Sequence, residues 1–499
     1  MLTGADVAKH NSSESLWMII NGKAYDLTEF QTNHPGGQKI LLKFAGRDAT
    51  EEYEPIHPPG TIEEALPADK HLGEVDMSTL LPEQKIIEQA VPKPTTAGDA
   101  PMTLGACLNL DDIEKAAERL LKPKAWAYYR SAADDERTHN WNRESFYSVR
   151  LRPRVLRDVT TVDLSASILG HTSSLPIYIS PAAMGRLAHP DGEKCLARVA
   201  AAHQIPYMVS ANASVGFEEL ASQAKEGQIL FYQAICVTVD APVAGKRERD
   251  ERAKLDDEAA SDPNMQKAVK STGPDAPDAP QDEPSQGIAQ ALGSDSLTHL
   301  LSTNCPSSAP PTDSGSISAA MFSYVDPTLA WHDLEWVRKA SGGLPIIVKG
   351  IQCAEDAALA AKNGAQAIIL SNHGGRQLEG APSSLETLLE IRKFEPWVLK
   401  KLEVWCDGGF RRGTDVLKAI ALGARCVGIG RPFMYSLVFG DEGVNKVATV
   451  LREELAQNAR LMGATSMTEV VPSMVNAREL EQNVYNGPYE SPVRALAKL

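Results

Sequence analysis

From about residue 106 onward, short apolar runs alternate with amphipathic stretches of helical length, and this alternation constrains the fold more than any other feature of the chain. The runs lie at 177–180, 207–210, 229–233, 236–240, 346–349, 367–371, 403–407 and 425–429. Helical stretches follow most of them, for example at 192–202, 354–363, 414–422 and 444–462. Strands that are apolar on both faces need cover on both sides, and helical crossovers between them make the pairing parallel. Eight such strands predict an α/β TIM (β/α)8 barrel over 106–499, with a helical lead-in over 110–129.

Two places break the alternation. Residues 250–320 are rich in Asp, Pro, Ser and Ala and nearly devoid of aromatics, so they form a low-complexity insert without enough apolar surface to offset the cost of ordering. The third and fourth strands are separated only by Ala234 and Ile235. A parallel crossover takes roughly a dozen residues or more, so the helix between strands three and four is missing. The break near 234 and the Ser/Pro-rich stretch 295–321 interrupt otherwise strong motifs, as a lost exon segment and retained non-coding sequence would; the alternative is a real insert acting as a mobile loop at the barrel mouth, and sequencing the transcript decides between them.

Residues 1–76 form a separate α+β unit. Strand-like runs at 17–20 and 23–27 flank Asn21-Gly22, a hairpin turn signal. Residues 77–105, rich in Pro, Thr, Ala and Gly, read as a hinge or linker. At 499 residues the chain is too long for a single core, which agrees with this division. Within the first unit, His34 in His34-Pro35-Gly36-Gly37 and His57 in Glu54-Pro55-Ile56-His57-Pro58 stand 23 positions apart. Two imidazoles on opposite loops can clamp a haem iron from both faces, which leaves electron transfer and excludes oxygen binding. Leu41, Phe44, Ile56 and Leu72 are expected to line that pocket. With Trp17, YDLT and TEFQTNHPGG, nearly all of residues 1–76 resembles cytochrome b5, which implies haem b held by His34 and His57.

In the barrel, polar motifs fall at the C-terminal ends of the expected strands, where barrel active sites assemble. Thr238-Val239-Asp240 closes the fourth strand and Lys349 the fifth. Ser371-Asn372-His373-Gly374-Gly375-Arg376 ends the sixth, Asp407-Gly408-Gly409-Phe410-Arg411 the seventh, and Gly428-Ile429-Gly430-Arg431 the eighth. Glycines and arginines after the last two strands suit a phosphate, with backbone N–H groups and guanidinium converging on it. No G-x-G-x-x-G follows a strand, so a mononucleotide such as FMN fits better than a dinucleotide.

The strings AWAYYRSAADDE, SPAAMGRLAHPDGE, VTVDAP, LPIIVKG, SNHGGRQL, DGGFRRGTDVLKAIALG and GIGRPF make residues 106–499 closely similar to the FMN-dependent 2-hydroxy-acid oxidases and dehydrogenases. With the haem unit in front, the chain resembles the cytochrome-type L-lactate dehydrogenases of that family. The resemblance implies that His373 is the general base and that Asp240 holds and stabilises its ring. It places Arg376 and Tyr128 on the substrate carboxylate, Arg247 on the substrate side and Lys349 at the flavin N1–O2 edge. Ala182, Ser210, Gln233 and Thr238 would contact the flavin ring; Asp407, Gly408, Gly409, Arg411, Gly430 and Arg431 would hold the ribityl phosphate region. Asn212 falls where relatives face the substrate side chain, often with an apolar residue, and its polarity counts against plain lactate. Relatives also carry a second catalytic tyrosine just after strand three; here Ile235 stands roughly there.

The implied activity is oxidation of an L-2-hydroxy acid, lactate foremost, with electrons passing from FMN to haem and then to an acceptor such as cytochrome c; a homotetramer is implied likewise. The competing reading is a haem electron-transfer protein whose barrel is inactive because the helix and tyrosine are lost. A third, an oxidase delivering electrons to oxygen, leaves the haem unit without a task. The formal charge of −15 opposes a nucleic-acid partner. Seven cysteines with no C-x-x-C pair read as reduced thiols of an intracellular protein. No apolar run reaches the length of a membrane span. An N-terminus without an apolar or Arg-rich leader predicts a cytoplasmic address; relatives imply the mitochondrial intermembrane space as the alternative.

Overall fold

The computed structural model describes residues 1–34, 37–57, 60–80, 102–223, 234–253 and 325–492. The N-terminal unit is built on a five-stranded sheet in the order Leu2–Thr3, His71–Asp76, Lys23–Asp26, Ser15–Ile20, Asn11–Ser12. Asn21 and Gly22 both adopt positive φ, 52° and 75°, as a two-residue hairpin turn of the primed type requires. Alternation along Ser15–Ile20 sends Leu16, Met18 and Ile20 to one face, where they pack with Tyr25, Leu41 and Phe44. Ile19 joins Val7, Ala24 and Val75 on the other. Of the four apolar residues expected around the haem, only Leu41 and Phe44 lie in the first cluster. Leu72 packs against the Val7 cluster, because the strand His71–Asp76 turns it to the opposite face, and Ile56 packs against the core of the barrel.

In the second unit, strands Ile235–Thr238, Ile346–Ile351, Ala367–Leu370, Glu403–Asp407, Cys426–Ile429 and Ile177–Ile179 pair side by side in that order, all parallel. Tyr207 bridges Ile179 in parallel at the far edge. These are seven of the eight expected strand positions in barrel order; the run 229–233, including Gln233, lies outside the described residues, as does most of the insert. The second strand is shorter than the sequence predicts. Ladder bonds tie Ile179 to Pro206 and Met208, and the chain then turns, with Asn212 N–H donating to Ser210 Oγ at 3.2 Å.

The lead-in also differs from expectation. It is two helices, Leu110–Leu120 and Pro123–Arg130, rather than one. Pro123 cannot continue the first because its ring lacks the N–H and clashes with the preceding turn, but it suits the first position of the second. Helices Glu193–His203, Ala354–Lys362, Gly413–Leu422 and Gly440–Met462 pack on the outside of the sheet. Inside it, Tyr178, Met208, Ile347, Ile369, Trp405 and Cys426 form a separate apolar cluster. Ile346–Ile351 is buried throughout, whereas Ile235, Cys236 and Val237 are half-buried and Thr238 is exposed.

Candidate active site

The inward face of the strands explains how the barrel motifs meet. Successive residues of a strand point to opposite sides, so the position two beyond an interior residue is interior again, one layer higher. Tyr178, Cys236, Ile347, Ile369, Trp405 and Cys426 fill the apolar layer. Two positions on stand Ser180, Thr238, Lys349, Ser371, Asp407 and Gly428, a polar layer directly above it at the C-terminal mouth. A cavity of about 640 Å³ opens over this layer. That volume falls within the usual range for small-molecule and cofactor sites.

Lys349, buried, donates to Ser371 Oγ at 3.2 Å and lies 3.8 Å from Asp240 Oδ2 and 3.9 Å from Asp407 Oδ2. Burial works against its charge, yet the two carboxylates prevail and raise the ammonium above its ordinary value. Asp240 is fully enclosed and meets His373 Nδ1 at 2.9 Å. Burial alone would push the Asp240 carboxyl up, but Lys349 and His373 outweigh it and hold it at about 2. For His373, burial lowers the imidazole, Asp240 opposes this, and Lys349 and Arg247 add to the lowering, so the ring lies below its ordinary value. It is therefore neutral at pH 7, and with Nδ1 on the carboxylate, Nε2 is left to accept a proton.

Arg376 is anchored by one nitrogen. Its Nη1 donates to the carbonyls of Tyr128 and Ser131, both at 2.9 Å, while the guanidinium lies 5.2 Å from the Tyr128 ring centre. Arg247 contacts the Arg376 carbonyl at 3.4 Å, and burial together with Arg376 depresses it to about 9. It remains a cation at neutral pH, and an anion between the two guanidiniums would relieve that strain. Tyr128, Arg247, His373 and Arg376 line the same cavity as Lys349.

At the opposite end, Gly408 and Gly409 adopt φ of 89° and 82°. A Cβ on Gly409 would sit 2.2 Å from the Asn142 carbonyl oxygen, so the loop lies tight against the helix Arg137–Tyr147. Arg431 bonds the Gly374 carbonyl through Nη2, while its buried Nη1 has no hydrogen-bond partner. Arg411 is held by Glu114 at 2.8 Å and Asp111 at 3.4 Å. A buried guanidinium nitrogen without a partner beside a glycine loop in left-handed conformation is a fit for a phosphate. Over the polar layer, the Lys349 ammonium fits the edge of a ring that gains negative charge on reduction.

Of the residues expected from sequence, Tyr128, Ala182, Ser210, Thr238, Arg247, Lys349, His373, Arg376, Asp407, Gly408, Gly409, Arg411, Gly430 and Arg431 border this one cavity. Asp240 stands behind His373. Sequence reasoning passed over Ser371 and Glu193. Glu193, fully buried, accepts from Gly185 N–H at 2.9 Å, Ser214 N–H at 3.0 Å and Ser214 Oγ at 2.6 Å, and so ties the loop after the first strand to the loop after the second. Its only signal was a charged residue at the start of a helix, which ordinarily means a solvated end.

In the N-terminal unit, the rings of His34 and His57 lie with centroids 6.1 Å apart and planes tilted by 35°. A metal–nitrogen bond of about 2 Å on each side, plus about 1 Å from nitrogen to ring centre, gives roughly that spacing for two imidazoles across one iron. His34 Nδ1 lies 3.2 Å from the Gly37 carbonyl and His57 Nδ1 3.1 Å from that of Tyr53. Donation there orients each ring and leaves Nε2 for the metal. Burial lowers both imidazoles, His57 to about 4, so both are neutral ligands at pH 7. The pair fits a bis-imidazole haem.

Comparison with known proteins relates the two units to two families. The FMN-dependent dehydrogenase family model matches residues 117–232 and 228–477. The model of the cytochrome b5-like haem/steroid-binding domain matches 3–76. An L-lactate dehydrogenase (cytochrome) of Wickerhamomyces anomalus is 36% identical over 96% of this chain and 80% of its own length. The protein of that description from Saccharomyces cerevisiae is 36% identical over 98% of this chain and 83% of its own. The solved flavin-binding domain of baker's yeast flavocytochrome b2 superposes with a TM-score of 0.60 at 32% identity, covering 79% of this chain and 92% of that one.

Proposed function

Since the chain belongs to the FMN-dependent dehydrogenase family and carries a cytochrome b5-like domain ahead of the barrel, we propose that it oxidises L-lactate, or a close L-2-hydroxy acid, to the 2-oxo acid. The observation that carries this reading is the convergence of His373, Lys349, Arg376 and Arg247 on one cavity, with Asp240 behind the histidine. FMN supplies the two-electron acceptor and haem the one-electron relay. Arg376, steered by the carbonyls that hold its Nη1, binds the substrate carboxylate with its remaining donors. Arg247 adds positive charge on the same side, and Tyr128 closes over the carboxylate. His373 Nε2 takes a proton from the hydroxy acid, and Asp240 stabilises the imidazolium that results, a contribution of roughly 10²–10⁴-fold. Lys349 supplies positive charge at the flavin edge. Gly408, Gly409 and Arg431 would hold the FMN phosphate, and His34 and His57 would hold the haem iron.

Passage of electrons from barrel to haem is supported by Ile56, one residue before His57, which packs against the barrel core. The names of the relatives from Wickerhamomyces anomalus and Saccharomyces cerevisiae give a cytochrome without further specification; cytochrome c as the external acceptor and a homotetrameric assembly are further parts of the proposal. Among the described residues no helix is long and apolar enough to cross a membrane. The alternative, a haem protein with an inactive barrel, draws on the sequence at Ala234-Ile235, where the family resemblance implies a tyrosine and a helix. Steady-state assay of purified holoprotein separates the two. The dehydrogenase forms pyruvate from L-lactate in step with cytochrome c reduction and without hydrogen peroxide. A haem-loaded protein that forms no pyruvate contradicts the proposal, and native mass measurement checks the tetramer.

A further inference from the structure

His373 has a left-handed backbone, φ 58°, a region that residues with a Cβ seldom occupy. Gly374 and Gly375 continue in that region at 65° and 77°. The one member of the three that is not glycine needs surrounding structure to hold it there. Ser371 Oγ accepts the His373 backbone N–H at 3.1 Å. The same oxygen accepts from Lys349 Nζ at 3.2 Å. Ser371 is 1% exposed and lies beneath the cavity without bordering it.

We propose that Ser371 is a positioning residue that couples the two sides of the reaction, setting the backbone of His373 and the ammonium of Lys349 through a single buried oxygen. The proposal rests on the dehydrogenase reading for the roles of those two groups.

The geometry around Lys349 gives the coupling its direction. Its distances to Asp240 and Asp407, 3.8 and 3.9 Å, exceed those of charge-assisted hydrogen bonds, about 2.7–2.9 Å. The ammonium is thus drawn to two carboxylates and closed on neither, while Ser371 Oγ gives it a hydrogen bond at normal length. Without that oxygen, Coulomb attraction moves it toward Asp240 or Asp407 and away from the cavity. The charged groups that act on the His373 imidazole are Asp240, which holds it, and Lys349 and Arg247, which oppose its charge. An ammonium closed on Asp240 weakens that carboxylate's hold on the imidazole, and a relaxed His373 backbone weakens it too. Both changes make His373 a poorer base, and the displaced ammonium leaves the flavin edge less positive.

The test compares Ser371→Ala and Ser371→Thr in the holoprotein. The flavin midpoint potential and sulfite affinity are measured without substrate, and kcat/KM for L-lactate is followed against pH. Ser371→Ala is expected to keep FMN and the fold and to lose about 10-fold or more in kcat. Its acid limb should move to lower pH, its flavin potential should fall, and sulfite should bind more weakly. Ser371→Thr, which keeps Oγ, should stay near the parent on every measure. The proposal is overturned if Ser371→Ala moves only one side or neither, or if the threonine variant is as impaired as the alanine variant. Loss of FMN or of the folded state in Ser371→Ala overturns it as well, because the hydroxyl would then serve the fold rather than the site. A parent protein that no 2-hydroxy acid reduces would defeat the dehydrogenase reading, yet the potential and sulfite measurements would still decide the role of Ser371.

Discussion

Asp240 and His373 depend on each other unequally. The carboxylate is kept ionised by Lys349 as well as by the ring, whereas Asp240 is the group that raises the ring against its burial. Asp240→Asn is therefore expected to lower kcat by about 10²–10⁴-fold with FMN binding unchanged. An amide cannot stabilise the imidazolium, and it removes the raising influence, so the pH at which His373 protonates falls. A base must be neutral to act, so the acid limb of kcat/KM should move to lower pH while the plateau drops; a pH profile with the parent plateau contradicts the assignment. At this scale the sequence was legible where polar residues end apolar runs. Lys349, His373 and Asp240 stand out for that reason. Ser371 ends its run in the same way, but neither its role nor that of Glu193 shows there, because a buried serine or glutamate that ties loops together looks in sequence like a solvated one, and only the fold supplies its partners.

The elements carry these residues through two-residue alternation, so the apolar layer beneath the site is the support of the polar layer above. Trp405 is fully buried in it, 5.2 Å from the Tyr178 ring. Trp405→Ala should destabilise the barrel by about 3–5 kcal/mol, read from denaturant unfolding. A change below 1 kcal/mol would mean that this layer is not a packed core. Gly409 makes the matching prediction for a loop. A Cβ there meets the Asn142 oxygen at 2.2 Å, and the backbone at φ 82° adds strain on the order of 1–3 kcal/mol. Gly409→Ala should weaken FMN binding strongly, as fluorescence titration of the apoprotein with FMN would report; unchanged affinity would remove this loop from the phosphate site. Strand order was readable because the runs are largely apolar and most of them are followed by a helix. The split of the lead-in at Pro123 was readable in principle, since proline in mid-helix is itself a boundary signal. The early end of the second strand was not, because a hydroxyl-to-backbone bond at Ser210 competes with the ladder without changing the apolar pattern.

At the scale of the whole molecule, two sites with separate chemistries must work in series. On the proposed reading His34 and His57 ligate a group that takes part in no bond of the hydroxy acid, so His57→Ala should abolish cytochrome c reduction while leaving flavin reduction by L-lactate within a few-fold of the parent. Equal loss of both would show that the N-terminal unit supports the barrel rather than receiving its electrons. The sequence conveyed this two-part design through the paired histidines and the barrel motifs. It conveyed less about their junction, because an apolar residue such as Ile56 reads equally well as pocket lining and as contact with another unit. Anaerobic absorbance spectroscopy of the purified protein, before and after L-lactate, tests the central claim most directly. Bleaching of the flavin followed by the bands of reduced b-type haem is the predicted result. Substrate addition that leaves both chromophores oxidised would contradict it.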